Sequence, residues 1–356
     1  MRLNVPHSAR IAAARGGRGE QGEAAMARTG NRRAAWLLVV LAPLIAELAF
    51  GSTPMHLAYL ILLWLPIYGA GILLVREAVR RSGRGWPSIV LLGVAYELVE
   101  DGFGLQALSS PNLYHAAGWA PRIFGLNLAY WEVNVIYHVI FSAVIPILLV
   151  DLLFPAHREV PYLKKTGLVI TGIVALIGVG LLRVSVPPSQ DPGYVAPLAV
   201  FIGCLILVVA LAIIALKVLP RRGQPVRSAA SVPPVWALAG LGLVGVLVIL
   251  GLLFPFGGAK QPAFTHGAWA FLPMGIAAVL VAGLVVLVRR WATSTAWTDE
   301  HSLILAGGAL LGHTVFGMAT VHTTFDRLGL VGVAILTVLL VLWMRRLLRT
   351  REELPV

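Results

Sequence analysis

The sequence predicts an all-α polytopic transmembrane bundle of about ten spans, with the N- and C-termini both inside. Three observations predict it. Of 356 residues, 58% are hydrophobic and only 12% charged, against about 45–50% and about 25% in ordinary soluble domains, and the mean hydropathy is +0.84. The apolar residues gather into runs of about 20, the length a helix rising about 1.5 Å per residue needs to cross roughly 30 Å of hydrocarbon. Lys and Arg alternate between rich and poor connecting segments, as the positive-inside bias requires. These figures exclude a water-soluble globular enzyme. The single cysteine, Cys204, excludes a disulfide framework and a Cys-based metal site.

The runs follow in order. Span 1 (34–50) begins after Arg32-Arg33 and stops at the turn Gly51-Ser52-Thr53-Pro54. Span 2 (57–75) runs into Arg76, Arg80, Arg81 and Arg84; span 3 (87–106) opens on Pro87, a residue suited to a first helical turn. Span 4 (131–154) ends before Arg158, Lys164 and Lys165, and span 5 (167–183) ends before Pro187-Pro188. Span 6 (194–219) leads to Lys217, Arg221, Arg222 and Arg227; span 7 (235–254) lies between Pro233-Pro234 and the stretch from Pro255 to Pro262. Span 8 (269–288) ends at Arg289-Arg290, and spans 9 (302–321) and 10 (328–344) close the bundle before Arg345, Arg346, Arg349 and Arg351. Each run is too long and too continuously apolar for a barrel strand.

With the N-terminus inside, all of the 28 Lys and Arg except Arg122, Arg183, Lys260 and Arg327 fall on the cytoplasmic side. One missed span would invert every later loop and destroy this alternation. The net charge of +12 is therefore spread along a rim that meets the lipid bilayer and its anionic headgroups. No nucleic-acid-binding motif accompanies it, so no nucleic-acid partner is expected. The expected organisation is a disordered basic cytoplasmic tail (1–33), a ten-helix domain (34–347) and a short cytoplasmic tail (348–356), in the inner (plasma) membrane. Met26 is a second candidate start beside Met1.

Ionisable side chains near the bilayer centre cost about 2.5–3.5 kcal/mol on insertion scales and point to function. Counting from the cytoplasmic ends at about 1.5 Å per residue puts Glu97 about 15 Å deep, with Glu100, Asp101, Glu47 and His138 about 20 Å deep and His313 about 17 Å. Glu97, Glu100 and Asp101 share one helical face, with Gly93 and Gly104 beside them as places for another helix to approach. Asn134, His138 and Ser142 form a polar stripe at every fourth residue, and His313, Gly317 and Thr320 form a second. Asp151, near the end of span 4, is read as a structural partner of Arg158 or Lys164. The loop from Ala107 to Tyr130 is poor in charge and rich in aromatics, which suits an interfacial belt or a lid over the site.

Three uses of this layer are consistent with its chemistry. Carboxylates crowded within one turn, beside His138 or His313, would relay protons in a transporter of a small solute or ion. The same groups, Glu97, Glu100, Asp101, His138 and His313, are the candidate ligands of a divalent metal in an intramembrane hydrolase or lipid-modifying enzyme. In a non-catalytic scaffold or accessory subunit they would only hold helices together.

The stretch from Arg76-Glu77 through Gly85-Trp86-Pro87-Ser88 to Tyr96-Glu97 and Glu100-Asp101-Gly102, preceded by Pro43 to Glu47 and Gly51-Ser52-Thr53-Pro54, resembles a segment of uncharacterised multi-pass membrane proteins of high-GC bacteria. That resemblance implies a polytopic fold and no particular activity. More loosely, the acidic pair Glu100-Asp101 with His138 and His313 is similar to the CAAX-protease and bacteriocin-processing membrane family. Leu105 stands where that family carries Arg.

Overall fold

The computed structural model describes residues 30–118, 121–223, 228–253 and 266–353. The expected tail over 1–29, the stretch 254–265 and the loop position Trp119 lie outside them.

Among the described residues, ten helical segments stand where the ten apolar runs predict them. α1 covers 32–48, capped by Asn31, whose Oδ1 accepts from the Ala34 amide at 3.1 Å. α2 is Met55–Arg81, α3 covers 86–104 and α4 is Leu128–Leu153. Then come α5 (Lys165–Gln190), α6 (Leu198–Val218), α7 (Val235–Leu253), α8 (Gly267–Ala292) and α9 (Asp299–Thr320). α10, Thr324–Glu353, runs past the boundary expected at 347, and Arg351 donates to the Leu152 and Leu153 carbonyls at 3.0 and 3.3 Å. Eight of the ten are long and apolar enough to span a membrane. α1 is too short and α3 carries three acids, so those two are the helices that depart from a plain hydrocarbon-spanning pattern.

α1 to α4 and α9 form the interior, while α5, α6, α8 and α10 turn large apolar side chains outward. Outward Leu, Ile and Val are what a lipid solvent permits, so the exposed apolar area needs no partner to explain it. Helices approach through small residues. A Cβ on Gly69 would lie 2.3 Å from the Val39 carbonyl, so α1 and α2 touch backbone to backbone beside Tyr68. The pair Gly308 and Gly312 does the same for α9 against α7.

Among the described residues, five helices widen from α to π geometry: at Leu44–Leu48, Leu65–Ala70, Leu98–Gly104, His138–Val144 and Ile214–Val218. Proline lies in or beside three of them. Pro43 precedes the first, Pro66 lies in the second and Pro146 follows the fourth. Proline has no N–H and its ring collides with the carbonyl four residues back, which breaks the normal ladder.

The Arg-rich end of α2 is locked to the end of α4 by a buried network that corrects the expectation for Asp151. Its Oδ1 accepts from Arg76 Nε and Nη2 at 3.0 and 2.9 Å and from the Tyr162 hydroxyl at 2.9 Å; its Oδ2 accepts from Arg80 at 2.8 Å. Arg76 is fully buried and stacks 3.3 Å over the Tyr162 ring. Arg158 pairs instead with Asp299 at 3.2 Å, on the surface. Arg76 and Arg80 therefore belong to the protein interior and not to the headgroup rim.

At the other end, the α3–α4 loop folds as a cap. It contains a small hairpin, β1 (Arg122–Ile123) and β2 (Leu126–Asn127), turned at Phe124 and Gly125, both at positive φ, as a two-residue type I′ turn requires. Arg122 gathers the Ser109, Ser110 and Gly125 carbonyls and Asn127 Oδ1. Asp191, after α5, ties the cap down by accepting from Ser110 Oγ at 2.6 Å and Asn112 Nδ2 at 2.9 Å. Burial pushes its carboxyl up, but the Ser110 and Asn112 hydrogen bonds outweigh burial and hold it below the usual carboxylate range. A depressed folded pKa stabilises above the unfolded value, about 3.9, and that contribution is lost as the pH falls through the folded one. Proteolysis of the cap is expected to be pH-independent above about pH 5 and to rise below about pH 4. Asp191→Asn removes that dependence. Equal acid sensitivity in both proteins would sink the assignment.

Candidate functional site

Of the carboxylates and histidines singled out by depth, Glu47, Glu100, Asp101 and His138 sit on the widened turns. Glu47 lies in the π turn of α1, Glu100 and Asp101 in that of α3, and His138 with Ser142 in that of α4. The π turn of α2 contributes Tyr68. Such turns insert an extra residue per turn, re-aim side chains and recur at functional sites. In α3 the result is a divided acidic face in place of the single face expected at regular helical spacing.

Glu97 and Asp101 point toward the start of α4. Trp131 Nε1 donates to Glu97 Oε2 at 3.2 Å, and the Tyr130 hydroxyl donates to Asp101 Oδ1 at 3.2 Å. Glu100 points to the middle of the bundle, its Oε2 3.4 Å from His138 Nδ1. His138 Nδ1 also lies 3.0 Å from Ser142 Oγ. Glu47 joins from α1: the Tyr68 hydroxyl donates to its Oε1 at 2.5 Å and Thr53 Oγ1 to its Oε2 at 3.0 Å. Trp64 Nε1 in turn donates to Thr53 Oγ1 at 2.9 Å.

Glu97, Glu100, Asp101 and His138 are buried, and Glu47 is partly so. The acids lie within electrostatic range of one another, Glu47 with Glu100 and Glu97 with Asp101. Among the described residues, none of the four carboxylates pairs with Lys or Arg. Glu97 Oε1 and Asp101 Oδ2 are buried oxygens that accept no hydrogen bond. An unmet buried acceptor costs about 1–3 kcal/mol and more when charged, which is hard to reconcile with groups present only for packing.

Two expected members stand apart. Asn134 is partly exposed and donates to the Tyr130 carbonyl of its own helix at 2.8 Å, so its stripe with His138 does not close on the carboxylates. His313 is fully buried one aromatic layer away, stacked 4.0 Å from Phe141 and beside Phe50 and Tyr137. Its Nε2 lies 3.0 Å from the Tyr137 hydroxyl, which donates to the Ala46 carbonyl. A hydroxyl has one proton to give, so His313 donates through Nε2, leaving Nδ1 a buried acceptor without a partner. Tyr137 separates it from His138, their rings 5.4 Å apart.

The depth criterion missed the residues that complete the layer: Thr53, Trp64, Tyr68, Tyr96, Tyr130 and Trp131. They are uncharged, and aromatic residues in apolar runs read as core. The prolines beside the widened turns were the available signal. The cap reaches the layer through Tyr114, whose ring stacks 6.0 Å from Tyr130. Gly93 packs against Val139 of α4 and Gly104 against Leu182 of α5, so α3 is enclosed through its glycines as expected.

Among the described residues, no three His, Cys, Asp or Glu side chains are gathered so as to hold a metal ion. The donor set read from Glu97, Glu100, Asp101, His138 and His313 is divided between the two sides of α3 and the far side of Tyr137.

A model described as an uncharacterized membrane protein family matches residues 36–356. No curated protein and no solved structure matches the chain. The family match agrees with the resemblance to multi-pass membrane proteins and lends nothing to the one with CAAX proteases. With nearly its whole length covered and its helices long and apolar, this multi-pass integral membrane protein belongs to that uncharacterized membrane protein family.

Proposed function

We propose that the protein is a transporter of a small solute or ion, in the plasma membrane, with ten spans and both termini inside. The observation that supports this reading is a buried acidic layer on α1 and α3 with unmet oxygens on Glu97 and Asp101 and no Lys or Arg partner among the described residues. Carboxylates in such a place exchange protons or bind a cation, and His138 against Glu100 gives a route between two titratable groups. π turns in all four contributing helices supply places where the backbone can shift register, which a moving site needs. A metal-dependent hydrolase would need a gathered set of metal donors, and a scaffold would have its polar groups satisfied.

Proteoliposomes on a solid-supported membrane test the reading, with small solutes added in turn under an imposed pH gradient. A solute that drives a current in the wild-type protein is expected to lose at least about tenfold of it in Glu100→Gln, corresponding to about 1.4 kcal/mol or more. Glu97→Gln is expected to lower it as well. If both variants carry full current and differ only in thermal stability, the layer is packing.

A further inference from the structure

We propose that the turn between α2 and α3, with the end of α6 folded against it, is a seat for a phosphate oxyanion. The inference is independent of the transport reading and lies at the Arg-rich end of the bundle. Four arginines meet there: Arg76, Arg80 and Arg81 on α2 and Arg84 on the turn. Two carboxylates answer them. Asp151 pairs with Arg76 and Arg80, and Glu77 pairs with Arg81 at 3.1 Å. Arg84 is left without a carboxylate among the described residues, although only 8% of its surface is exposed. Its Nη2 donates to the Lys217 carbonyl at 3.0 Å, and its Nε is buried without a partner. Arg80 repeats the shortage: its Nε is also buried and unpartnered, and its Nη1 is 3.5 Å from the Arg84 carbonyl, the limit of hydrogen-bond reach. A buried guanidinium without a counter-charge is costly, and its planar fork of N–H donors matches the oxygens of a phosphate.

The surroundings are basic and open. The Arg222 amide donates to the Gly83 carbonyl at 2.9 Å, and Ser88 Oγ donates to the Ala215 carbonyl at 2.6 Å. The end of α6 and the chain after it therefore lie along the turn and bring exposed Lys217 and Arg221 to it. Arg222 is the neighbour whose charge is answered, by Glu159. A Cβ on Gly83 would meet nothing within 4 Å, and one on Gly85 only the Pro87 ring, at 3.8 Å, so there is room over the turn. Gly85 is also the N-cap of α3 and has no side chain to cap it, which leaves the positive pole of that helix facing the same place. A cation would be repelled here, and a neutral ligand would leave the surplus charge unanswered. Val90, one turn into α3, and Val218, next to Lys217, are exposed apolar residues, so the phosphate of a lipid headgroup suits this edge as well as a free phosphate does.

Thermal melting of the full-length protein in maltoside micelles, which contain no phosphate, tests this, with chloride holding the ionic strength constant. The probes are inorganic phosphate and dihexanoyl phosphatidylglycerol, each titrated alone. A saturable rise in melting temperature is expected from at least one of them. A rise with inorganic phosphate, alone or beside the lipid, marks a site open to the aqueous phase; a rise with the lipid alone marks a headgroup seat. Arg84→Gln should weaken the apparent affinity at least about tenfold. Lys217→Gln with Arg221→Gln alters exposed residues only and should weaken it about threefold. Arg289→Gln with Arg290→Gln, an exposed basic pair on α8, should leave it unchanged. No saturable rise with either probe overturns the proposal, and so does an unaltered rise in folded Arg84→Gln. An equal loss in the Arg289 and Arg290 variant also overturns it, because general attraction to basic residues would then be the cause. If Arg84→Gln does not fold, unchanged affinity in the Lys217 and Arg221 variant overturns it instead.

Discussion

Asp151→Asn is expected to cost the folded bundle about 3–5 kcal/mol, the usual price of removing one partner from a buried ion pair. The substitution keeps the shape and deletes the charge. Arg76, fully buried, and Arg80 then face each other's positive charge with their shared counter-ion gone. The Val160, His157 and Arg158 carbonyls still accept from Arg76, but carbonyl dipoles do not neutralise it. The control is Arg158→Ala, which breaks an ion pair whose two side chains are each 42% exposed and should change stability by less than about 1 kcal/mol. Equilibrium unfolding in mixed detergent–SDS micelles measures both. If Asp151→Asn is as stable as the parent, or if Arg158→Ala is the more damaging, the buried network is not what joins α2 to α4.

The second large effect is expected at the α7–α9 crossing. A Cβ on Gly312 would lie 2.5 Å from the Leu243 carbonyl oxygen and 3.1 Å from its Cα; on Gly308 it would lie 2.2 Å from the Ala239 carbonyl. These neighbours are backbone atoms and cannot swing aside, so the helices must separate. Gly312→Leu should therefore reach or exceed the upper end of the about 1–3 kcal/mol typical of overpacking. It should also pull α9 away from Tyr137 and break the His313 contact, since His313 is the next residue. Gly283→Leu on α8 has nothing within 4 Å and should be neutral or slightly stabilising, because glycine is a poor helix former. Similar losses at Gly312 and Gly283 in the same unfolding assay would show that helix propensity, not the crossing, sets the cost.

The spans were legible because hydrocarbon imposes one simple demand. Every backbone group must be bonded within its own helix, so each crossing is a continuous apolar run. The runs at 235–254 and 302–321 accordingly meet α7 and α9 to within three residues. The depth argument located Glu97, Glu100, Asp101 and His138 in one buried layer for the same reason: charge is expensive there and stands out. It failed for Asn134 and His313, because depth gives a level and not an azimuth. Asn134 satisfies itself on its own helix, and His313 reaches the layer only through Tyr137.

Rim and interior were also confused by composition alone. Arg76 looks like any other inside arginine until Asp151 and Tyr162 arrive from distant stretches of chain and close over it. The division of the α3 face has a different origin. Regular spacing put the three acids together, whereas a π turn over Leu98–Gly104 sends Glu100 to His138 and leaves Glu97 and Asp101 facing Trp131 and Tyr130.

Hydropathy and charge bias thus established a multi-pass helical protein, the order of its helices and the level of its costly groups, since each depends on the solvent met by one segment at a time. Which helices touch, which acid meets which ring, and which arginines are taken out of water emerged only from packing. Those outcomes depend on pairs of residues far apart in the chain, on backbone approach at a few glycines, and on the turns where the helices widen.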